Sequence, residues 1–325
     1  MDPPSLLNEV VVATAIVQIV TLLFILIRFY ENLYSRQLRA EDYFSYGAWG
    51  ALIAQAILLC INTVEGIASH MWDVPVSVLI EGSRRYNYIF MCYTISGGFA
   101  KATVFMQFKR IFTSPRIQDE VYWVITVSVV LNAVAYTIFL FLYVFTCLPR
   151  ERIWNPTVEG RCMDSNRLNV AIGGLNVLSD VEAFLVPVWA VWKLKMDVKK
   201  KISILAVFAA GALAVAVGLI GLYYRVLILE RPDSTWLLMQ TGLICEGELG
   251  IVIVVGCCPY IPRIIHRHRR SQNLASHYGS NNSRKQNGRN VPGKVPTGWS
   301  FPKIPVRTSA SRQEIKQSWW PKRDV

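Results

Sequence analysis

Residues 121–145 read VYWVITVSVVLNAVAYTIFLFLYVF, a run without one charged side chain. A bilayer core takes about 20 mostly apolar residues per helix, within a range of about 17–25. Val121–Phe145 meets that length, and six other segments do too: Val10–Ile27, Tyr43–Val64, Tyr86–Phe108, Leu168–Trp192, Ile202–Tyr224 and Trp236–Cys258. Irregular backbone cannot face lipid, because each unsatisfied amide costs several kcal/mol there. All seven segments are therefore expected to be helices. The fold expected is an all-α membrane protein, a bundle of seven transmembrane helices.

Composition agrees. Of the 325 residues, 53% are apolar and 17% charged, where a soluble domain carries about a quarter charged residues. That speaks against a large water-soluble enzyme. The formal charge is +12, which invites a nucleic-acid reading until the charge is located. Residues 259–325 hold 14 Lys/Arg and 2 Asp/Glu, whereas residues 1–258 hold 20 of each. The excess sits in one terminal stretch, so a membrane domain with a basic tail is expected, and no nucleic-acid partner.

The first span does not read as a cleaved signal peptide. Met1–Glu9 contains Asp2 and Glu9 and no basic residue, while Arg28, Arg36 and Arg39 follow the span. That order suits a signal anchor with its N-terminus outside. Counting Lys and Arg in the loops under that orientation gives 11 inside and 8 outside, and the tail adds 14 inside. The positive-inside bias then places the N-terminus outside and the C-terminus in the cytosol.

Cys147 and Cys162 fall in the loop between spans four and five, outside by this topology. An oxidising exterior and a spacing of 15 permit a disulfide. Two unrelated thiols are the other reading. Cys60, Cys92 and Cys245 read as small apolar residues within spans. Cys257 and Cys258 end span seven, where packing and palmitoylation are both open. No Cys or His pair has zinc-ligand spacing, so no metal is expected.

Charges at bilayer depth face the bundle interior and pair. Spans three, five and seven run the same way through the membrane. Asp180, Glu246 and Glu248 fall near the midplane, and Lys101 about 4 Å nearer the inner face. Lys101 is thus within reach of Asp180 or Glu248. Asn169, Asn176, Asp180 and Pro187 are spaced by 7, 4 and 7 and share one helix face, from which Glu182 points away. The expected polar site comprises Lys101, Asn176, Asp180, Glu246 and Glu248. It reads equally as a ligand cavity and as a network of interhelical hydrogen bonds. A retinal Schiff base needs a lysine, usually in the last helix, and span seven has none. No cofactor is expected, retinal included. An Asp-Arg-Tyr triplet after span three and an Asn-Pro-x-x-Tyr in span seven are both absent, so the chain does not read as an animal-type G-protein-coupled receptor.

Several stretches resemble one known family. They are Glu41-Asp42 before span two, KATVFMQFKRIF from Lys101, and CLPRERIWNPTVEGRC with Cys147, Trp154, Gly160 and Cys162. NVLSDVEAFLVPVWAVWKLKMDVKKK from Asn176, DSTW from Asp233, and Glu248 followed by Pro259 complete the set. Each is loose, but their order over residues 10–265 is specific. The chain resembles the fungal rhodopsin-domain integral membrane proteins, a receptor-like seven-helix group. The resemblance implies a filamentous-fungal membrane protein with an outer-loop disulfide and no retinal. Some members look like surface receptors with a cysteine-rich N-terminal domain. About nine residues precede span one here, so that module is expected to be absent. Other members stand beside secondary-metabolite genes.

Residues 1–260 are thus expected to form the membrane domain. Residues 261–325, rich in Ser, Asn, Pro, Gly and basic residues, have a disordered composition. Arg263, Arg267, Arg269 and Arg270 open this tail and would attract anionic lipid at about 1 kcal/mol per charge. A solvated tail that only sets orientation is the other reading. A cytosolic partner for the tail is open.

Two functions compete. One is a receptor-like sensor of an external or membrane-soluble small molecule, the ligand entering from outside among spans three, five and seven. The other is an intramembrane enzyme or accessory protein of a secondary-metabolite pathway, with Asp180 and Glu248 as general acid and base on an apolar substrate. A transporter is disfavoured, since the seven spans carry no clear internal repeat. The plasma membrane and an internal endomembrane are both open.

Overall fold

The computed structural model describes residues 7–112, 120–155, 157–193, 198–231, 233–261 and 264. Seven long helices account for nearly all of them: α1 Leu7–Ser35, α2 Ala40–Asn62, α3 Val76–Phe112, α4 Glu120–Val144, α5 Ser165–Lys193, α6 Val198–Glu230 and α7 Ser234–Cys257. Each expected span falls on one of them. All seven are long and apolar enough to cross a membrane. The chain is a multi-pass membrane protein whose environment is the lipid bilayer.

The helices differ in how much of their surface meets protein. In the most apolar window of α3 and of α7, 56% of residues are buried, against 22% in α1 and α4. So α3 and α7 are central and α1 and α4 peripheral. Leu131, Val134, Ile138 and Phe141 of α4 are more than half exposed. A row of large apolar side chains facing outward needs lipid around it, since lipid replaces the missing protein partner. Core packing is built from aromatic and aliphatic side chains of α2, α3, α5 and α7, among them Leu52, Tyr93, Phe105, Ile172 and Leu249.

Small residues let the helices approach. Ser96 of α3 donates to the Ala48 carbonyl of α2 at 2.8 Å. Gly97 and Gly98 lie under the Tyr136 side chain of α4, where an added Cβ would come within 2.9 and 3.1 Å of that side chain. Their missing side chains allow the Tyr136 ring to lie against α3, as small residues do at membrane helix contacts.

Two connections shape one end of the bundle. After α2 the chain makes a π-helical turn, Thr63–Ile67, with a kink inside it at Gly66, φ 94°. Glycine carries that left-handed conformation without a Cβ penalty. Between α4 and α5, the strands β1 (Cys147–Leu148) and β2 (Arg161–Cys162) pair antiparallel, with Cys147 opposite Cys162. Those two cysteines form a disulfide, so the reading of two unrelated thiols falls.

The helices also correct the charge count. Arg28 and Arg225, which the apolar runs place in loops, are buried within α1 and α6 and at most 2% exposed. Both helices run several residues past the spans expected for them. Removing both from the count leaves the loop bias at three residues, so the expected orientation is unaffected. Arg263, Arg267, Arg269, Arg270 and the tail to residue 325 lie outside the described residues.

Candidate functional site

The polar centre is assembled by four helices. Lys101 of α3 pairs with Asp180 Oδ1 of α5, both side chains being almost fully buried. One turn earlier on α5, Asn176 Nδ2 donates to Asp180 Oδ2 at 3.2 Å and to Glu248 Oε1 of α7. The phenol of Tyr93 on α3 donates to Glu248 Oε2 at 3.2 Å. The phenol of Tyr136 on α4 donates to Asn176 Oδ1 at 2.6 Å. The amide of Asn176 thus has both ends engaged and bridges two carboxylates.

Helix α6 closes the centre from the remaining side. Gly218 is the close approach: a Cβ there would stand 2.7 Å from Glu248 Oε1 and 3.6 Å from Asp180 Oδ2. Two turns along, Arg225 carries the compensating charge. Its guanidinium lies 4.8 Å from the Tyr93 ring centroid. It donates to Cys245 Sγ at 2.9 Å and to the Asn169 carbonyl at 3.3 Å. Two cations therefore stand against two acids, Lys101 and Arg225 around Asp180 and Glu248. That balance offsets much of the desolvation cost of burying charge.

The other carboxylates lie elsewhere. Glu182, two residues from Asp180, accepts from Asn132 Nδ2 of α4 at 2.9 Å. Glu246 is two residues from Glu248 and so faces α1 and α2, where Gln18 Nε2 lies 3.5 Å away. The expected five-residue site is therefore four residues. Lys101, Asn176, Asp180 and Glu248 meet, and Glu246 does not join them, because residues two apart on a helix point nearly opposite ways. Within the stripe, Asn169 contributes its carbonyl rather than its side chain.

A second polar cluster ties the far end of the bundle. Arg28 bridges α1 to α2 and α7: it pairs with Asp42 at 2.8 Å, donates to the Glu41 carbonyl at 2.9 Å, and donates to the Gly256 carbonyl at 3.2 Å. Gln107 of α3 donates to the same carbonyl at 2.6 Å. Tyr260 places its ring 4.7 Å from the Arg28 guanidinium and donates to Asp42 Oδ1 at 2.8 Å. Burial pushes the Tyr260 phenol above its usual range, which keeps it a donor. Cys257 packs buried beside this cluster.

The polar centre has room on the side toward the Arg28 cluster. A small, partly open pocket with a cavity volume of about 30 Å³ is lined by Lys101, Asp180, Val104, Ala183, Ala214 and Val252 among others. Every lining residue other than the ion pair lies toward the Arg28 end, away from the disulfide. Glu248 is not in the lining. The pocket is apolar and small-walled, and the ion pair forms its polar head. Among the described residues no group of His, Cys, Asp and Glu is arranged to hold a metal.

Comparison with known proteins agrees with this architecture. The profile of the fungal rhodopsin domain matches residues 27–267. The chain belongs to the fungal rhodopsin domain family. The chain is 25% identical over 286 residues to Fugralins biosynthesis cluster protein 2 of Gibberella zeae, covering 86% of this chain and 70% of that protein. It is 28% identical over 200 residues to a SAT4 family membrane protein of Emericella nidulans, covering 61% of this chain and 50% of the relative. It is 25% identical over 174 residues to Satratoxin biosynthesis SC1 cluster protein 4 of Stachybotrys chartarum, covering 53% and 62%. The chain thus spans half to about three-fifths of the latter two proteins. In this fungal rhodopsin domain the polar centre and the pocket both fall inside the matched segment.

Three members of the centre escaped sequence reading: Arg225, Tyr93 and Tyr136. Arg225 had a signal, since Val226–Leu229 continue the apolar run beyond it. The tyrosines had none, because a tyrosine in a greasy helix reads as packing.

Proposed function

We propose that this membrane protein binds a membrane-soluble, largely apolar small molecule as a receptor-like sensor. The observation that carries this is the pocket between α3, α5, α6 and α7, apolar along its walls and headed by the Lys101–Asp180 pair. The pocket takes the polar end of such a molecule at the ion pair, and the apolar body extends out through its open side. Because the pocket lies on the Arg28 side of the centre, entry is from the lipid or that end, not from the disulfide end. The Arg28 cluster next to it joins α1, α2 and α7, so a ligand that shifts α7 acts on their contacts. The test is binding of labelled apolar ligands to purified protein in nanodiscs, with Ala214→Leu to fill the pocket. Ligands that bind wild type and A214L equally would sink the reading.

A second reading rests on relatives. Two are named as biosynthesis cluster proteins, and Asp180 is reachable from the pocket. Under it the protein is an enzyme or accessory protein acting on an apolar pathway intermediate, with Asp180 exchanging a proton. Glu248 is not its partner, being walled off by Asn176, Tyr93 and Gly218. Replacing Asp180 with Asn in the fungus and profiling metabolites separates the readings. An unchanged profile at normal protein level removes the enzyme.

The N-terminus is proposed to lie outside the cytosol. The disulfide supports this, since such bonds persist in oxidising compartments and it sits at the end of the bundle where α1 begins. The membrane is the plasma membrane or an internal one, which a fluorescent fusion distinguishes.

A further inference from the structure

Glu246 has none of the compensation that surrounds Glu248. It is fully buried. Its Oε2 accepts one long hydrogen bond, 3.5 Å from Gln18 Nε2. Its Oε1 has no partner, and no Lys, Arg or His stands within ion-pair distance among the described residues. The neighbouring polar atoms are unsatisfied too. Gln18 Oε1, the Thr14 hydroxyl, and both Nε2 and Oε1 of Gln55 are buried without partners.

The residues that carry these atoms belong to α1, α2 and α7 and fall within about a turn of one another along the bundle. Gln18 donates to both Glu246 and the Leu52 carbonyl, the latter at 3.4 Å. Thr14 precedes Gln18 by four and shares its face. Gln55 precedes by four Leu59, whose Cδ1 would stand 2.7 Å from a Cβ on Gly242 of α7. On the other side of Glu246, Gly250 meets Val17 and Thr21 of α1. Glu246 is therefore bracketed one turn each way by contacts to the faces that carry Gln55, Thr14 and Gln18.

A buried carboxylate left unpaired is expensive. Water can bridge polar atoms but does not neutralise the charge. A proton neutralises it and supplies one donor, which leaves most of the oxygens as they are. A hard cation takes several oxygen ligands at once. The set here is one carboxylate and neutral amide and hydroxyl oxygens, without Cys or His, so it matches a single positive charge and disfavours a soft metal.

We propose that Glu246, Gln18, Gln55 and Thr14 form a binding site for a small monovalent cation, on the opposite face of α7 from the ligand pocket. The test uses the purified full chain in nanodiscs. Its unfolding midpoint is followed as sodium chloride replaces N-methylglucamine chloride at constant ionic strength and mildly alkaline pH. The wild-type midpoint rises by several degrees with sodium, as mass action requires of a ligand bound to the native state. Glu246→Gln is isosteric, loses the charge, and shows no rise. Gln55→Leu keeps the charge but needs several-fold more sodium for the same rise, and it carries the test if E246Q fails to fold. Equal wild-type midpoints in the two salts overturn the proposal, as does an undiminished rise in E246Q. A midpoint that ignores sodium but rises on acidification in wild type, and not in E246Q, makes this a proton site and overturns it as well.

Discussion

Lys101 of α3 and Asp180 of α5 form an ion pair whose side chains are 1% and 4% exposed, in the middle of a membrane protein. Removing one partner leaves the other charge buried and uncompensated, which costs about 3–5 kcal/mol. Lys101→Met and Asp180→Asn should each lower the unfolding midpoint sharply. The double variant should recover much of the loss, because it buries no charge. A double-mutant cycle in nanodiscs measures this. Additive losses would mean that the pair does not act as a unit.

Gly218 gives a sharper steric test. Alanine there forces a Cβ to 2.7 Å from Glu248 Oε1, so α6 must move away from the polar centre. Gly218→Ala should reduce the yield of folded protein and lower the midpoint. At Gly174 and Gly247 an added Cβ meets nothing within 4 Å. Alanine at those positions should be neutral or stabilising, by up to about 1 kcal/mol from the better helix propensity. Equal behaviour of the three variants would contradict the packing of α6 on Glu248.

The Cys147–Cys162 bridge closes a loop with a sequence separation of 15. Loop-closure entropy for that length is worth about 3 kcal/mol. Cys147→Ser paired with Cys162→Ser should lower the midpoint, and reducing agent should lower that of wild type but not of the double variant. Thiol labelling before and after reduction counts the bonded cysteines directly.

Tyr260 predicts a pH dependence. Its phenol is held above the ordinary value of 10.0 by burial. The native state therefore holds a proton that the unfolded chain gives up. The contribution is full below the unfolded value and declines as pH rises through the native one. Tyr260→Phe keeps the ring against Arg28 but loses the bond to Asp42, at a cost of about 1 kcal/mol. Its midpoint should fall less steeply than wild type in alkaline buffer. Parallel curves would assign the alkaline loss to another group.

Much of this was legible in the linear sequence. Seven apolar runs of bilayer length determined seven helices, because lipid leaves the backbone no other way to satisfy its amides. Helical spacing put Asn176 and Asp180 on one face and sent Glu182 to another, where it meets Asn132. The same spacing rule separates Glu246 from Glu248, though their shared depth suggested one site. The choice of Asp180 over Glu248 as the lysine's partner could not be read, because both are within reach of a flexible side chain. Only the packed bundle decided it. Tyr93 and Asn176 occupy Glu248, Arg225 arrives from α6, and Gly218 leaves α6 close enough to wall Glu248 off. Periodicity reports which way a residue faces on its own helix. Which residues meet across helices is set by the close approach of small residues and by the need to balance each buried charge, and neither exists until the helices pack.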